Sequence, residues 1–434
     1  MSLLLVLLFL ALILLGVPIA FALLISPTIS LGVEPIVSLQ VLVQQMFRGV
    51  DSFTYLAVPF FVLSGMLMQK GGISKRLIDF SAVLLRKLTG GLAMVVAFAS
   101  MIFAAITGSG PATTASIGGA VMPDLIAHGY EKKWTVALMA VTGIIGPIIP
   151  PSITMVIYGA MTNTSIGAMF LGGIIPGILI GVSLMIMCYF HAKKRGLKPQ
   201  ADPSGDASSS KGELWKTFKD AIWAFFMPVV MLGGILSGLF TPTEAGVISV
   251  VYAIIISMFV YRSIKLKDLV PILKTSVITT ATIMVIIANA NAFAWLLSAW
   301  RGAEQFMGAL FSITNSNIII LLLMNLLLLI LGCFIDTTTA MIMTVPTLLP
   351  IATRIGMDPL HFGLMVCINL VIGMATPPLG ITLFTACSIG KVSISEVAKP
   401  ILPMLGVVLI VLLLVVFIPD VSLLLPRLMM GYGR

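Results

Sequence analysis

Two stretches, GPIIPPS at 146–152 and GMATPPLG at 373–380, decide how this chain folds. Each interrupts a long apolar segment. Proline lacks an amide N–H and blocks the helical conformation of the residue before it. A double proline therefore breaks a helix and frees carbonyls that lipid cannot satisfy, and such backbone persists only where it lines a cavity or meets an ion. The two stretches also match each other. Pro150-Pro151 falls on Pro377-Pro378 at an offset of 227, and at the same offset Pro123 falls on Pro350, Gly129 on Gly356 and Pro176 on Pro403, without a gap. The chain reads as two repeated halves.

The surroundings are those of a membrane protein. Apolar residues make up 59% of the 434 and charged residues only 9%; soluble domains carry roughly a quarter charged residues. Mean hydropathy is +1.15, and apolar runs long enough to cross a bilayer recur from end to end. The net charge of +9 does not point to nucleic acid. The basic residues fall in short segments between apolar runs, where a membrane protein keeps its cytoplasmic positive charge. Cys188, Cys333, Cys367 and Cys387 lie in apolar segments without a CxxC pair, and His128, His191 and His361 are scattered. Neither a disulfide framework nor a transition-metal site is expected. The opening MSLLLVLLFLALILLG lacks a basic leader and a small-residue cleavage site, so it reads as a first transmembrane helix.

Residues 191–220, HAKKRGLKPQADPSGDASSSKGELWKTFKD, are too polar for lipid and read as a mobile cytoplasmic linker. They separate a first repeat, 1–190, from a connecting helix and second repeat, 221–434. Setting the basic segments on the cytoplasmic side leaves only Arg48, Arg301, Arg354, Arg427 and Arg434 of the 25 Lys and Arg outside. That works only if two segments enter and leave by the same face. One is 91–127, turning back at 107–113; the other is 317–351, turning back at 335–339. They open to opposite sides, which makes the repeats inverted. The remaining crossings are expected near 3–24, 53–69, 134–160, 166–190, 221–240, 244–261, 276–299, 360–388 and 401–418. Segment 73–88 carries its charges on one helical face and suits a helix lying along the cytoplasmic surface, with 302–315 as its outer counterpart. The fold class is an all-α polytopic membrane protein with two re-entrant hairpins and two broken helices.

Four irregular segments thus reach membrane depth. Freed carbonyls and Ser/Thr hydroxyls are hard, uncharged oxygen donors suited to sodium, and half-helix N-termini favour an anionic substrate. One hairpin tip beside one broken helix in each repeat predicts two quasi-equivalent ion sites with substrate between them. Asp336 is an intramembrane carboxylate, which either ligates a cation or caps the helix that follows it. Thr241-Pro242-Thr243-Glu244 is a capping box opening the helix at 244–261. Asn289, Asn291 and Asn369 lie in apolar helices, where they contact substrate or hydrogen-bond between helices. An intramembrane enzyme is disfavoured, because no His or second acid accompanies Ser109 or Asp336 at useful helical spacing. Hairpins entering from opposite faces argue for alternating access rather than a passive channel.

AITGSGPATTASIG (105–118), GPIIPPS (146–152), SIGAMFLGGIIPG (165–177), LFTPTEAG (239–246) and IGMATPPLGITLF (372–384) occur together and in order. With them the chain closely resembles, over nearly its whole length, the large membrane subunit of the tripartite ATP-independent periplasmic (TRAP) transporters, the dicarboxylate-transporter M type. The resemblance implies an elevator-type secondary transporter in the bacterial inner membrane, driven by the sodium gradient. It implies two partners besides the bilayer: a small four-helix membrane subunit, here as a separate chain, and a periplasmic binding protein that delivers an organic acid. By matching position, Ser109, Gly110, Thr113, Gly146, Pro150 and Ser152 would form one sodium site. Asp336, Thr337, Thr338, Gly373, Thr376 and Gly380 would form the other. Pro151, Asn163, Asn291, Asn369 and Pro378 are the candidates for substrate contact. No cofactor is expected beyond Na⁺ as coupling ion. The alternative is a stand-alone sodium- or proton-coupled dicarboxylate or citrate carrier.

Overall fold

The computed structural model describes residues 1–199 and 207–433. It is 81% helical, with no strand among the described residues. Seven helices are long and apolar enough to cross a membrane: Phe53–Lys70, Ile166–Lys194, Gly212–Leu236, Pro242–Val260, Leu266–Ala299, Asn317–Phe334 and Ile394–Phe417. Shorter apolar helices complete the chain in pairs.

The helices of the two halves follow one another in the same order. The first hairpin joins helix Gly91–Thr107 to a helical run beginning at Gly110 and ending at Ala127. The second joins Asn317–Phe334 to Thr337–Arg354, whose turn and end lie 227 residues after those of the first. Left-handed Gly129 and Gly356 then turn each chain into the first half of a broken helix, Lys132–Gly143 and Pro359–Gly373. Both double prolines are cis. The second halves, Ile153–Thr162 and Ile381–Gly390, start 228 apart, because one residue (Ser152) follows the first proline pair and two (Leu379, Gly380) follow the second. The offset stays at 228 through left-handed Asn163 and Lys391 and the helix-capping Ser165 and Ser393. Pro176 and Pro403 therefore fall one position out of register, a correction to the ungapped match.

The arm helices agree as well. Ile73–Leu85 and Gly302–Ile313 both start after a left-handed residue, Gly72 and Arg301. In the first, Ile73, Leu77, Ser81 and Leu85 are buried at four-residue spacing while Lys75 and Asp79 face out.

Three expectations need correcting. The crossing expected at 3–24 is two helices, Ser2–Leu14 and Ile19–Val33, because Gly16 turns left-handed and Pro18 starts a new helix rather than continuing the old one. The break expected at 191–220 is narrower. Ile166–Lys194 precedes it, and Ala207–Leu236 runs as one helix through residues placed in the linker. Glu213 pairs with Arg86 at 2.8 Å, and the Asp220 and Trp223 carbonyls accept hydrogen bonds from Tyr261 and Tyr252 at 2.8 and 2.6 Å. Polar residues there are docked on the arm and on helix Pro242–Ile255, which composition does not reveal. The rest of the expected linker, 200–206, lies outside the described residues. Finally, Leu39–Val50 and Asp420–Met430 are helices that hydropathy alone did not mark.

Helix Ala57–Lys70 packs along Pro242–Ile255, held at its two ends by Thr243 Oγ1 donating to the Phe53 carbonyl (3.2 Å) and Ser257 Oγ to that of Leu67 (3.4 Å). The long helix Leu266–Ala299 crosses Leu39–Val50 and Ile19–Val33, and Asn289 Nδ2 donates to the Ala20 carbonyl at 2.8 Å. These helices form the frame on which the two hairpins and two broken helices are held.

Candidate functional site

The first hairpin turns where Thr107 ends a helix and Gly108 takes φ +59°, a left-handed conformation that disfavours any side chain. Ser109 follows as the N-cap, its Oγ accepting from the Ala112 amide at 3.5 Å, with Pro111 in the first turn where a missing N–H costs nothing. Thr113 Oγ1 donates back to the Ser109 carbonyl at 2.8 Å. Residues Thr114–Gly118 are wound as a π-helical turn, a distortion often found at functional sites. The buried Thr114 Oγ1 has no hydrogen-bond partner among the described residues.

The first break lies directly against this turn. A Cβ on Gly146 would lie 2.6 Å from the Ser109 carbonyl oxygen and 2.8 Å from Thr113 Oγ1. A Cβ on Gly108 would lie 2.4 Å from the Pro151 carbonyl oxygen. Glycine at both positions lets two irregular backbones touch. Ser152 caps the half-helix beyond the break, accepting from the Met155 amide at 3.3 Å and donating to the Pro147 carbonyl at 2.5 Å. The carbonyls of Pro150 and Pro151 accept no backbone hydrogen bond among the described residues. Ser109, Gly110, Thr113, Gly146 and the proline pair are thus one cluster of oxygen donors, while the Ser152 hydroxyl is engaged within its own break.

The second site repeats the arrangement with a different cap. Asp336 Oδ1 accepts from the amides of Thr338 (2.8 Å) and Thr339 (3.3 Å), and the Thr339 hydroxyl bonds Oδ2. Asp336 is therefore a helix cap in this structure. Each carboxylate oxygen has two lone pairs, so capping leaves acceptor capacity for a cation. The buried Thr337 Oγ1 has no partner among the described residues. Gly373 meets Gly332, one turn before the tip: a Cβ on Gly373 would lie 2.3 Å from the Gly332 carbonyl carbon. Thr376 Oγ1 donates to the Ile372 carbonyl at 2.9 Å, and Gly380 folds back on the Met374 and Thr376 carbonyls.

The two sites are adjacent. A Cβ on Gly110 would lie 3.0 Å from Thr382 Cγ2 and 3.3 Å from Met374 Cε, so the first hairpin tip meets the second broken helix. Thr382 in turn anchors that break, its amide and hydroxyl both donating to the Met374 carbonyl at 2.9 and 2.8 Å. Helices starting at Gly110, Ile153 and Ile381 therefore begin around one region, each presenting the positive end of its dipole.

The substrate candidates separate. Pro151 is buried beneath the first hairpin and Pro378 is exposed. Asn369 Nδ2 donates to Asn325 Oδ1 at 2.7 Å and to the Asn325 carbonyl at 3.0 Å, tying the second broken helix to the second hairpin. Asn291 packs against Gly49. Asn163 caps the far end of its half-helix, about 15 Å along from Ser152 at 1.5 Å per residue. Residues that sequence reading passed over are Thr114, Asn325 and Thr382. Thr382 had no signal, since its partner lies in the fold.

The two breaks differ in exposure. Residues 144–152 and the half-helix after them are largely buried. In the second repeat Leu379 is 54% and Phe384 62% exposed, and Ser388 also faces out.

Residues 6–421 match the family described as the tripartite ATP-independent periplasmic transporter, DctM component. The chain is 38% identical over 421 residues to the sialic acid TRAP transporter large permease protein SiaM of Vibrio cholerae, covering 96% of this chain and 97% of that protein. It is 36% identical to the C4-dicarboxylate TRAP transporter large permease protein DctM of the same organism, covering 96% and 95%. Among solved structures it resembles the YdaH transporter of Alcanivorax borkumensis with a TM-score of 0.58 over 91% of this chain and 89% of that one, at 14% identity, a likeness of fold alone. Built from paired hairpins and broken helices in a multi-pass membrane frame, and matching over nearly its whole length, this chain belongs to the DctM component family of TRAP transporters, as a permease subunit and not an enzyme.

Proposed function

We propose that this subunit imports an organic acid, such as sialic acid or a C4-dicarboxylate, across the bacterial inner membrane by coupling it to the sodium gradient. The observation that carries the reading is the duplicated unit itself: a capped hairpin tip, Ser109 or Asp336, set against a broken helix with free proline carbonyls. Neutral oxygens suit Na⁺, and the converging helix N-termini at Gly110, Ile153 and Ile381 favour a carboxylate between the two ions. Asp336 adds one negative charge to the second site while it caps the helix.

Movement follows from the division of the fold. The hairpins and broken helices would slide as one body against the frame of Ala57–Lys70, Pro242–Ile255 and Leu266–Ala299, an elevator motion. The hairpins would enter from opposite faces without crossing. With the Lys391 end on the cytoplasmic side, as charge counting expects, the exposed Leu379, Phe384 and Ser388 face inward and the buried first break faces outward. The conformation is read as inward-open. A separate small membrane subunit and a periplasmic binding protein complete the system.

The test is uptake into proteoliposomes holding this chain and its small subunit, with radiolabelled sialic acid or succinate and the cognate binding protein outside. Uptake should require both an inward sodium gradient and the binding protein, and Ser109→Leu or Thr376→Leu should abolish it without loss of folded protein. Uptake without binding protein would favour a stand-alone carrier. Uptake driven by a proton gradient alone would remove sodium from the mechanism.

A further inference from the structure

Beyond the hairpins and breaks, unassigned chemistry gathers at the basic end of helix Ile166–Lys194. A cavity of about 410 Å³ there is lined by Glu131, Trp134, Phe190, His191, Lys194, Arg195 and Pro403, among others. Trp134 stacks on His191 with ring centroids 3.9 Å apart, and Tyr130 stacks on Trp134 at 5.5 Å. This places an aromatic floor under the cavity. His191 Nε2 is buried and has no hydrogen-bond partner among the described residues. His191 also lines the cavity, and an orphaned ring nitrogen is costly unless a ligand or water completes it.

The charges are arranged for an anion. Arg195 pairs with Glu131 at 2.7 Å and Lys133 with Glu396 at 3.0 Å. Lys194 has no ion pair among the described residues. One wall is apolar and open outward: Phe190 is 62% exposed at the end of a 29-residue apolar helix. Tyr, Trp and Lys at a helix end mark the depth of the lipid headgroups. A soluble anion would use the basic residues and leave Phe190 without a role, whereas an amphiphile uses both.

We propose that this cavity is a binding site for an anionic membrane phospholipid. Lys194 and the Nε2–H of His191 donate to the phosphate, and an acyl chain lies along Phe190 and Pro403. Basic pockets between transmembrane helices recognise such headgroups by this chemistry. Because Trp134 belongs to the first broken helix, lipid bound here would tie that helix to the bilayer surface.

The experiment uses the full chain, delipidated in detergent, with its melting midpoint followed during titration with dioleoyl phosphatidylglycerol, dioleoyl phosphatidylcholine or inorganic phosphate. Phosphatidylglycerol should raise the midpoint saturably and the other two should not. Lys194→Gln should weaken its apparent affinity about fivefold, the equivalent of one basic residue at a membrane surface. His191→Phe, which keeps the stack on Trp134 and removes the donor, should weaken it as well. Lys193→Gln, whose ammonium lies over the Tyr189 ring instead, should bind as the parent does. Equal shifts with both lipids would overturn the proposal, as would parental binding by Lys194→Gln and His191→Phe. A phosphate-induced shift matching that of phosphatidylglycerol would reassign the site to a soluble anion.

Discussion

Ser109 and Asp336, 227 residues apart, hold the same post: each is the N-cap of the helix that leaves a hairpin tip, and each hairpin packs against a broken helix containing a cis double proline. One cap is neutral and the other carries a carboxylate. The two caps therefore hold one place in the chain with different chemistry, a hydroxyl in one and a carboxyl in the other.

Asp336→Asn keeps an oxygen that can accept from the Thr338 and Thr339 amides, while Asp336→Ala does not. The alanine variant should lose about 1 kcal/mol of stability as a lost cap, and the asparagine variant much less. If the carboxylate also ligates sodium, Asp336→Asn should raise the half-saturating Na⁺ concentration for uptake about tenfold, since a charged ligand contributes on the order of 1.4 kcal/mol more than a neutral one. An unchanged sodium dependence would leave Asp336 as a cap alone. Melting curves and sodium titrations of uptake on the same preparations decide.

Gly146 stands where two irregular backbones meet and Gly373 where the second break begins against the hairpin helix Asn317–Phe334, with a Cβ brought to 2.6 Å of the Ser109 oxygen and 2.3 Å of the Gly332 carbon. Alanine at either should destabilise by about 1–3 kcal/mol through overpacking and stop uptake. Gly406, in a helix with nothing within 4 Å of its Cβ position, is the contrast. Gly406→Ala should be neutral or stabilise by up to about 1 kcal/mol. Thermal midpoints of the three variants test this, and a tolerant Gly146→Ala would contradict the close approach.

Asn369 and Asn325 bond to each other between the second broken helix and the second hairpin. Each replaced singly by Leu should leave a buried amide without its partner. The pair replaced together should cost less than the sum, with a coupling of roughly 0.6 kcal/mol, the usual size of an interhelical hydrogen bond in membranes. A double-mutant cycle on unfolding free energy measures it. Strict additivity would mean that the two side chains do not interact.

The inequality in exposure between the breaks is open to labelling. Cys188, Cys333, Cys367 and Cys387 are all buried, so background reaction is low. Ser388→Cys should react with a membrane-impermeant maleimide added from the cytoplasmic side, and Met155→Cys in the buried half-helix of the first repeat should not. The reverse pattern would show that the open face points outward.

What was legible in the sequence was what the backbone imposes locally. Double prolines end helices wherever they stand, so the breaks at 146–152 and 373–380 could be placed to within a residue or two. Gly108, Ser109, Asp336 and the capping box at Thr241 and Glu244 declare their turns and caps through short-range chemistry, and the capping box is present as read. The break at Gly16 and Pro18 was legible by the same rule, but a continuous apolar window hid it. The duplication was also legible, because repeated landmarks survive where side chains diverge.

The tertiary structure decided everything that depends on which elements meet. Polar residues at 212–220 form a helix because Arg86 and Tyr261 are there to bond it, and nothing in their own composition says so. Asn369 became an interhelical tie because Asn325 lies opposite, and Asn291 a packing residue because Gly49 does. Thr382 lies against Gly110 across 272 positions of chain. Local conformation follows from the residues that carry it, whereas the partner of a buried polar group follows only from the packing of the whole membrane domain.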